Sequence, residues 1–129
     1  MLVQARWNSW NLICQLFQGN GKSDFMSTLG ILIIDDEKNI RTTLAVCLEG
    51  MGCRVEAAAS GEEALRAVGR AGFDMAFLDL RLGNESGLEL IPRLLTEAPG
   101  LAIVVITAYA TFETAVEAIR RGAKDYLPK

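Results

Sequence analysis

Three short apolar runs in this chain each end on an oxygen-bearing side chain. GILII leads into Asp35 and Asp36, MAFL into Asp79, and AIVVI into Thr107. An unbroken apolar run of about five residues, bounded by turn signals, suits a strand covered on both faces by helices. In such parallel sheets the ligand crevice lies beyond the carboxyl ends of the strands, so polar residues closing successive strands are placed to meet. The pattern therefore specifies an acidic pocket at one sheet edge as well as an α/β fold.

The rest of the chain agrees with that architecture. From Leu29 to Lys129, strand-like runs near 31–35, 54–58, 74–79, 101–106 and 125–127 alternate with helix-like segments near 38–50, 61–70, 87–97 and 111–121. Ser60 and Glu63 have the spacing of a capping box at the start of the second helix. The fourth helix is expected to begin after Thr111, to bury Ala115, Val116, Ala118 and Ile119, and to end at Gly122. At 129 residues, half of them apolar, the chain is one domain with enough material for a core.

Residues 1–28 have a different character. Val3, Trp7, Trp10, Cys14 and Phe17 recur at spacings of four and three, and Gly19 to Asp24 reads as a linker. The segment is read either as a short amphipathic helix plus linker or as residues upstream of a start at Met26. Its single Arg6 and polar interruptions fit neither a signal peptide nor a basic membrane anchor.

Composition removes whole classes of function. The chain has no histidine, so imidazole acid-base chemistry and histidine metal ligation are excluded. Cys14, Cys47 and Cys53 contain no CxxC spacing and suit reduced thiols in a cytoplasmic protein. A net charge of −3 argues against direct nucleic-acid binding, which needs a basic face. No stretch approaches the ~18 apolar residues of a membrane span.

Crowding Asp35, Asp36 and Asp79 together costs several kcal/mol in repulsion unless a cation neutralises them. Without histidine the ligands are all oxygen, which favours Mg²⁺ or a similar hard ion. Lys129 supplies a mobile charge suited to a phosphoryl oxygen, and Thr107 a hydroxyl. Those parts serve phosphoryl transfer, where positioning and charge stabilisation dominate. With no histidine to accept the group, a carboxylate can itself attack and form an aspartyl phosphate, and Asp79, followed by the loop from Leu80 to Gly87, is the best candidate.

LIIDDE, FLDLRLGNESGLEL, VVITAYAT and GAKDYLPK, in that order and spacing, resemble the signature segments of response regulator receiver domains of two-component systems. The stretch TAYATFETAVEAIRRGAKDYLPK is most similar to receivers of the NtrC type, which usually precede an ATPase domain and a DNA-binding domain. The resemblance spans Leu29 to Lys129. It implies a flavodoxin-like, doubly wound five-stranded parallel sheet of order 2-1-3-4-5. Asp79 would be the phosphoacceptor and, with Asp36, a direct Mg²⁺ ligand; Asp35 would hold the metal through water and Arg81 through its backbone carbonyl. Thr107 would be the switch hydroxyl, Lys129 the ion-pair partner of the phosphoryl group, and Tyr126 the aromatic that follows Thr107. The implied partners are a sensor histidine kinase or phosphotransfer protein, and an output domain or protein, expected to be transcriptional; a homodimer is left open.

Two departures from the family pattern shape expectations. Gly83-Asn84 stands where a proline is usual, which predicts a looser loop. The family continues with a fifth helix where this chain stops at Lys129, so a receiver lacking its last helix is expected. The leading reading is a phosphorylatable signalling module and not an enzyme. The alternative is a pseudoreceiver or non-functional fragment that binds partners without phosphorylation, and dependence on Asp79 separates the two. A Mg²⁺-dependent phosphatase would need a substrate pocket and cap that a chain this short lacks.

Overall fold

The computed structural model of the protein describes residues 29–129; the readings made for residues 1–28 lie outside the described residues. The elements in chain order are β1 (Gly30–Ile34), α1 (Lys38–Gly50), β2 (Arg54–Ala58), α2 (Gly61–Arg70), β3 (Met75–Leu78), β4 (Arg81–Leu82), β5 (Glu85–Ser86), α3 (Gly87–Glu97), β6 (Ala102–Thr107), α4 (Phe112–Arg120) and β7 (Asp125–Pro128). Five strands form one sheet in the order β2-β1-β3-β6-β7, with every pairing parallel. Counting those strands along the chain, the order is the expected 2-1-3-4-5.

The two apolar faces of the sheet explain which runs became central strands. GILII and MAFL are buried at every position because β1 and β3 have strands on both sides and helices above and below. Alternate residues divide between two cores. Ile31, Ile33, Phe77 and Val104 pack with Leu44 and Leu48 of α1. Leu32, Ile34, Leu78, Ile103 and Val105 pack with Ala64 and Ala67 of α2, Leu90, Ile91 and Leu94 of α3, and Ala118 of α4. Cutting a fully buried Ile33 to alanine would cost about 2–5 kcal/mol, a large part of the stability of a domain this size.

Local signals fixed the helix starts. The Ser60 hydroxyl accepts from the Glu63 amide at 3.2 Å, while the Glu63 carboxylate reaches one residue further back, to the Ala59 amide at 3.3 Å. Thr111 caps α4 in a box whose other half is Thr114.

Two expectations need correction. The apolar face read for α4 is only partly buried: Ala118 is fully enclosed, yet Val116 and Ile119 remain 41% and 48% exposed. The helix sits over the margin of the sheet against α3 and β7, and a narrow contact strip suffices there. The segment from Leu80 to Gly87, read as a loop, also carries strand pairing. Arg81 pairs with Ser86 and Leu82 with Glu85, closing a hairpin across Gly83-Asn84. Gly83 has φ +61°, as the first central residue of a type II′ turn requires.

Candidate functional site

The site is built on strand ends whose backbones are locked by ladder hydrogen bonds running one residue past the strands. The Asp35 amide donates to the Ala58 carbonyl at 3.1 Å, Asp79 to Ile34 at 2.9 Å, and Lys129 to Thr107 at 2.9 Å. Three of the residues singled out in the sequence thus leave rigid elements at the same sheet edge. Preorganisation of this kind is what a positioned charge needs, because side chains on locked backbone spend less entropy to meet.

Asp35 and Asp79 are 3% and 4% exposed. Asp36 and Glu37 stand beside them on the solvent side, and ligand oxygens of all four carboxylates lie within 4.8 Å of one another. Lys129 Nζ bridges the two buried members, at 2.9 Å from Asp35 Oδ2 and 2.9 Å from Asp79 Oδ2, with Glu37 Oε1 at 3.7 Å. Burial pushes the Asp35 carboxyl above its usual range, and the neighbouring Asp79 charge adds to the rise; the Glu37 amide and Lys129 only partly offset them. Burial alone would lower the Lys129 ammonium, but the bonds to Asp79 and Asp35 together raise it instead.

One ammonium among four carboxylates leaves the edge strongly negative. Like charges 4 Å apart repel by about 4 kcal/mol at an effective dielectric near 20. The donor set is all oxygen, part buried and part solvent-facing, and that chemistry fits a hard divalent ion that keeps some of its waters. Glu37 is the member sequence reading missed. The third acid of LIIDDE reads on its own as the residue before a helix, and Glu37 does hold the N-cap position of α1 without a side-chain capping bond.

The hairpin closes one side of the pocket. Its Gly83 amide donates to Asp36 Oδ2 at 3.0 Å, and the Arg81 amide donates to Asp79 Oδ1 at 3.2 Å. Glu85 ties the same hairpin to the start of α2 by accepting from the Gly61 amide at 3.2 Å. Gly87, at the first turn of α3, lies so close to the Asp79 carbonyl that a Cβ there would overlap it and would come 2.8 Å from Leu80 Cα. Its lack of a side chain lets α3 begin directly behind Asp79.

The third side is formed by β6 and β7. Thr107 is fully buried, and its hydroxyl accepts from the Tyr109 amide at 3.1 Å. The Arg81 guanidinium lies 4.2 Å from the centre of the Tyr109 ring, spanning from the hairpin to the segment after β6. Tyr126 belongs to the same sheet face as Thr107, but its hydroxyl is directed to α4, 2.6 Å from Thr114 Oγ1 and 3.3 Å from the Thr111 amide. The structure therefore gathers Asp35, Asp36, Asp79 and Lys129, with Arg81 joined through its amide. Thr107 stands at the end of the neighbouring strand, and Tyr126 is held away at the start of α4.

An open parallel sheet of this order with an acidic cluster and a lysine at its carboxyl edge defines a class of signalling domain. The chain belongs to the response regulator receiver domain family, whose match covers residues 31–129. Over 99 residues it is 43% identical to the alginate biosynthesis transcriptional regulatory protein AlgB of Pseudomonas putida, covering 77% of this chain and 22% of that protein. Over 101 residues it is 37% identical to the transcriptional regulatory protein ZraR of Escherichia coli, covering 78% of this chain and 23% of the relative. The chain thus spans less than a quarter of the length of these curated relatives.

Among solved structures, a Burkholderia pseudomallei response regulator, crystallised with a phosphorylated aspartic acid, calcium ion and citrate, superposes with a TM-score of 0.77 at 42% identity, over 79% of this chain and 60% of that one. NtrX of Brucella abortus superposes with a TM-score of 0.73 at 36% identity, over 78% and 23%. These neighbours agree with the resemblance to NtrC-type receivers. Receivers are signalling domains and not enzymes. No helix among the described residues is long and apolar enough to cross a membrane.

Proposed function

We propose that this receiver takes a phosphoryl group from a histidine kinase or phosphotransfer protein onto Asp79, and that the modified chain controls an output partner, transcriptional in kind. A carboxylate oxygen of Asp79 attacks phosphorus, the P–N bond of the donor phosphohistidine breaks as the P–O bond forms, and the departing imidazole takes up a proton. The observation that carries this reading is the bridging of Asp35 and Asp79 by Lys129 inside a cluster of four carboxylates.

Asp36 and Asp79 would hold Mg²⁺ directly, Asp35 through water and Arg81 through its carbonyl, with Glu37 at the solvent side. When bound, the ion neutralises the crowded carboxylates and the incoming phosphoryl oxygens. Lys129 then exchanges its bond to Asp79 for one to the phosphoryl group, and the Thr107 hydroxyl leaves the Tyr109 amide to reach the same group. Tyr126 follows Thr107, and the population shifts toward the conformation in which both contacts form. A cytoplasmic location and a two-part chain, with residues 29–129 as the receiver and residues 1–28 as an extension, complete the proposal. Relatives named as transcriptional regulators support the kind of output.

The test is intact mass after incubation with acetyl phosphate and Mg²⁺. One added phosphoryl group that requires the metal and disappears in Asp79→Ala supports the proposal. No addition to a chain shown to be folded by circular dichroism overturns it.

A further inference from the structure

Tyr126 is held by an unusual version of the cap on α4. In the common capping box a glutamate or glutamine at the third helical position reaches back to the N-cap amide. Here that position is Thr114, whose hydroxyl accepts from the Thr111 amide at 3.2 Å while Thr111 Oγ1 accepts from the Thr114 amide at 3.1 Å. A glutamate would present only acceptor oxygens. A threonine also has a proton to share, and Thr114 Oγ1 lies 2.6 Å from Tyr126 Oη, where either hydroxyl can donate. The Thr111 amide divides its proton between Thr114 Oγ1 and Tyr126 Oη, at 3.2 and 3.3 Å.

The Tyr126 hydroxyl is therefore bonded at the start of α4, to its N-cap amide and to a hydroxyl of its first turn. That turn follows directly on the segment leaving Thr107. Tyr126 pairs with Val105 across β6 and β7, and by strand alternation Val105 and Thr107 face the same side of the sheet as Tyr126. Thr107 Oγ1 holds the Tyr109 amide, and two and five residues later Thr111 and Thr114 hold the phenol. The short backbone segment from Tyr109 to Thr111 thus joins the hydrogen bond held by Thr107 to those that hold Tyr126.

We infer that Thr114 is a positioning residue that holds Tyr126 in its resting orientation through the α4 cap, so that its hydroxyl sets the balance between resting and phosphoryl-accepting conformations. The regulatory half of this inference rests on the function proposed above. Turning Tyr126 toward Thr107 requires its hydroxyl to leave both α4 partners, and removing the stronger of them lowers that barrier to the shift. One neutral hydrogen bond of this kind changes a two-state population about tenfold.

The experiment uses the full chain carrying 3-fluorotyrosine. Its two tyrosines, Tyr109 and Tyr126, give two fluorine resonances, which Tyr109→Phe assigns. Thr114→Val keeps the shape and the backbone half of the cap but removes the hydroxyl, and Thr114→Ser restores it. In the unphosphorylated chain, Thr114→Val is expected to move the Tyr126 resonance and to raise the rate of phosphoryl uptake from acetyl phosphate about tenfold. Thr114→Ser is expected to match the unchanged chain in both. In a Tyr126→Phe background, Thr114→Val is expected to change the uptake rate no further.

An unmoved Tyr126 resonance in folded Thr114→Val overturns the lock. So does an equal rate effect in the Tyr126→Phe background, which would mean that Thr114 acts through helix stability alone. If the unchanged chain takes up no phosphoryl group, the proposed function fails, while the fluorine comparison of Thr114→Val with Thr114→Ser still decides whether the lock exists.

Discussion

Lys129 Nζ sits 2.9 Å from Asp79 Oδ2 and equally far from Asp35 Oδ2, an ion triad whose three side chains are each less than a tenth exposed. Removing one member of a buried ion group is costly because it strands the others in low dielectric. Lys129→Met is therefore expected to destabilise the metal-free protein by about 3 kcal/mol. Added Mg²⁺ should recover more stability in the variant than in the unchanged chain, because the ion takes over the neutralising charge. Urea unfolding with EDTA and with Mg²⁺ checks both halves.

The direction of the Asp35 shift sets a pH dependence. Its folded pKa lies above the ordinary 3.8, so between those two values the folded chain binds the proton that the unfolded chain has released. Stability then falls as pH rises through this window, and the metal-free protein gains from Asp35 as pH is lowered through its raised pKa. Asp35→Asn should flatten that segment of the stability curve. At the other end, Lys129 contributes stability that is complete below 10.5 and lost as pH rises through its raised pKa. Unfolding midpoints across pH in EDTA measure both slopes.

Gly87→Ala places a methyl group against the Asp79 carbonyl and Leu80 Cα. The neighbours are backbone and cannot turn aside, so α3 or the end of β3 must shift. Overpacking of this kind costs about 1–3 kcal/mol. The denaturant midpoint should drop accordingly, and phosphoryl uptake should fall with it because the displaced atoms belong to Asp79.

Gly83→Ala tests the hairpin. The φ of +61° is strained for any residue with a Cβ, at about 1–2 kcal/mol. The expected result is a modest loss of stability and faster hydrogen exchange at the Arg81, Gly83 and Gly87 amides, which the hairpin and its neighbours now bind. Exchange measured by NMR with and without the substitution decides it.

Much of the fold was readable because its signals are local. GILII, MAFL and AIVVI announce buried strands by composition alone, and Ser60 and Thr111 mark helix starts by side-chain chemistry. Asp35, Asp36, Asp79 and Lys129 were legible as a group because strand ends in a parallel sheet share an edge. The hairpin was not, since strands of two residues carry no periodicity, although Gly83-Asn84 is a turn signal for such a hairpin. Glu37 was hidden by its position before a helix, where an acid is ordinary. The exposure of Val116 and Ile119 depends on where α4 lies over the sheet, and the tie between Tyr126 and Thr114 joins residues 12 apart that only the packed fold brings together.

The most direct test of the central claim is to locate the modification. The chain is incubated with acetyl phosphate and Mg²⁺, reduced with borohydride, which turns an aspartyl phosphate into homoserine, and mapped by peptide mass spectrometry. Homoserine at position 79, absent when EDTA is present, is the predicted result. A folded chain with no homoserine, or with homoserine at another acidic position, would contradict the account.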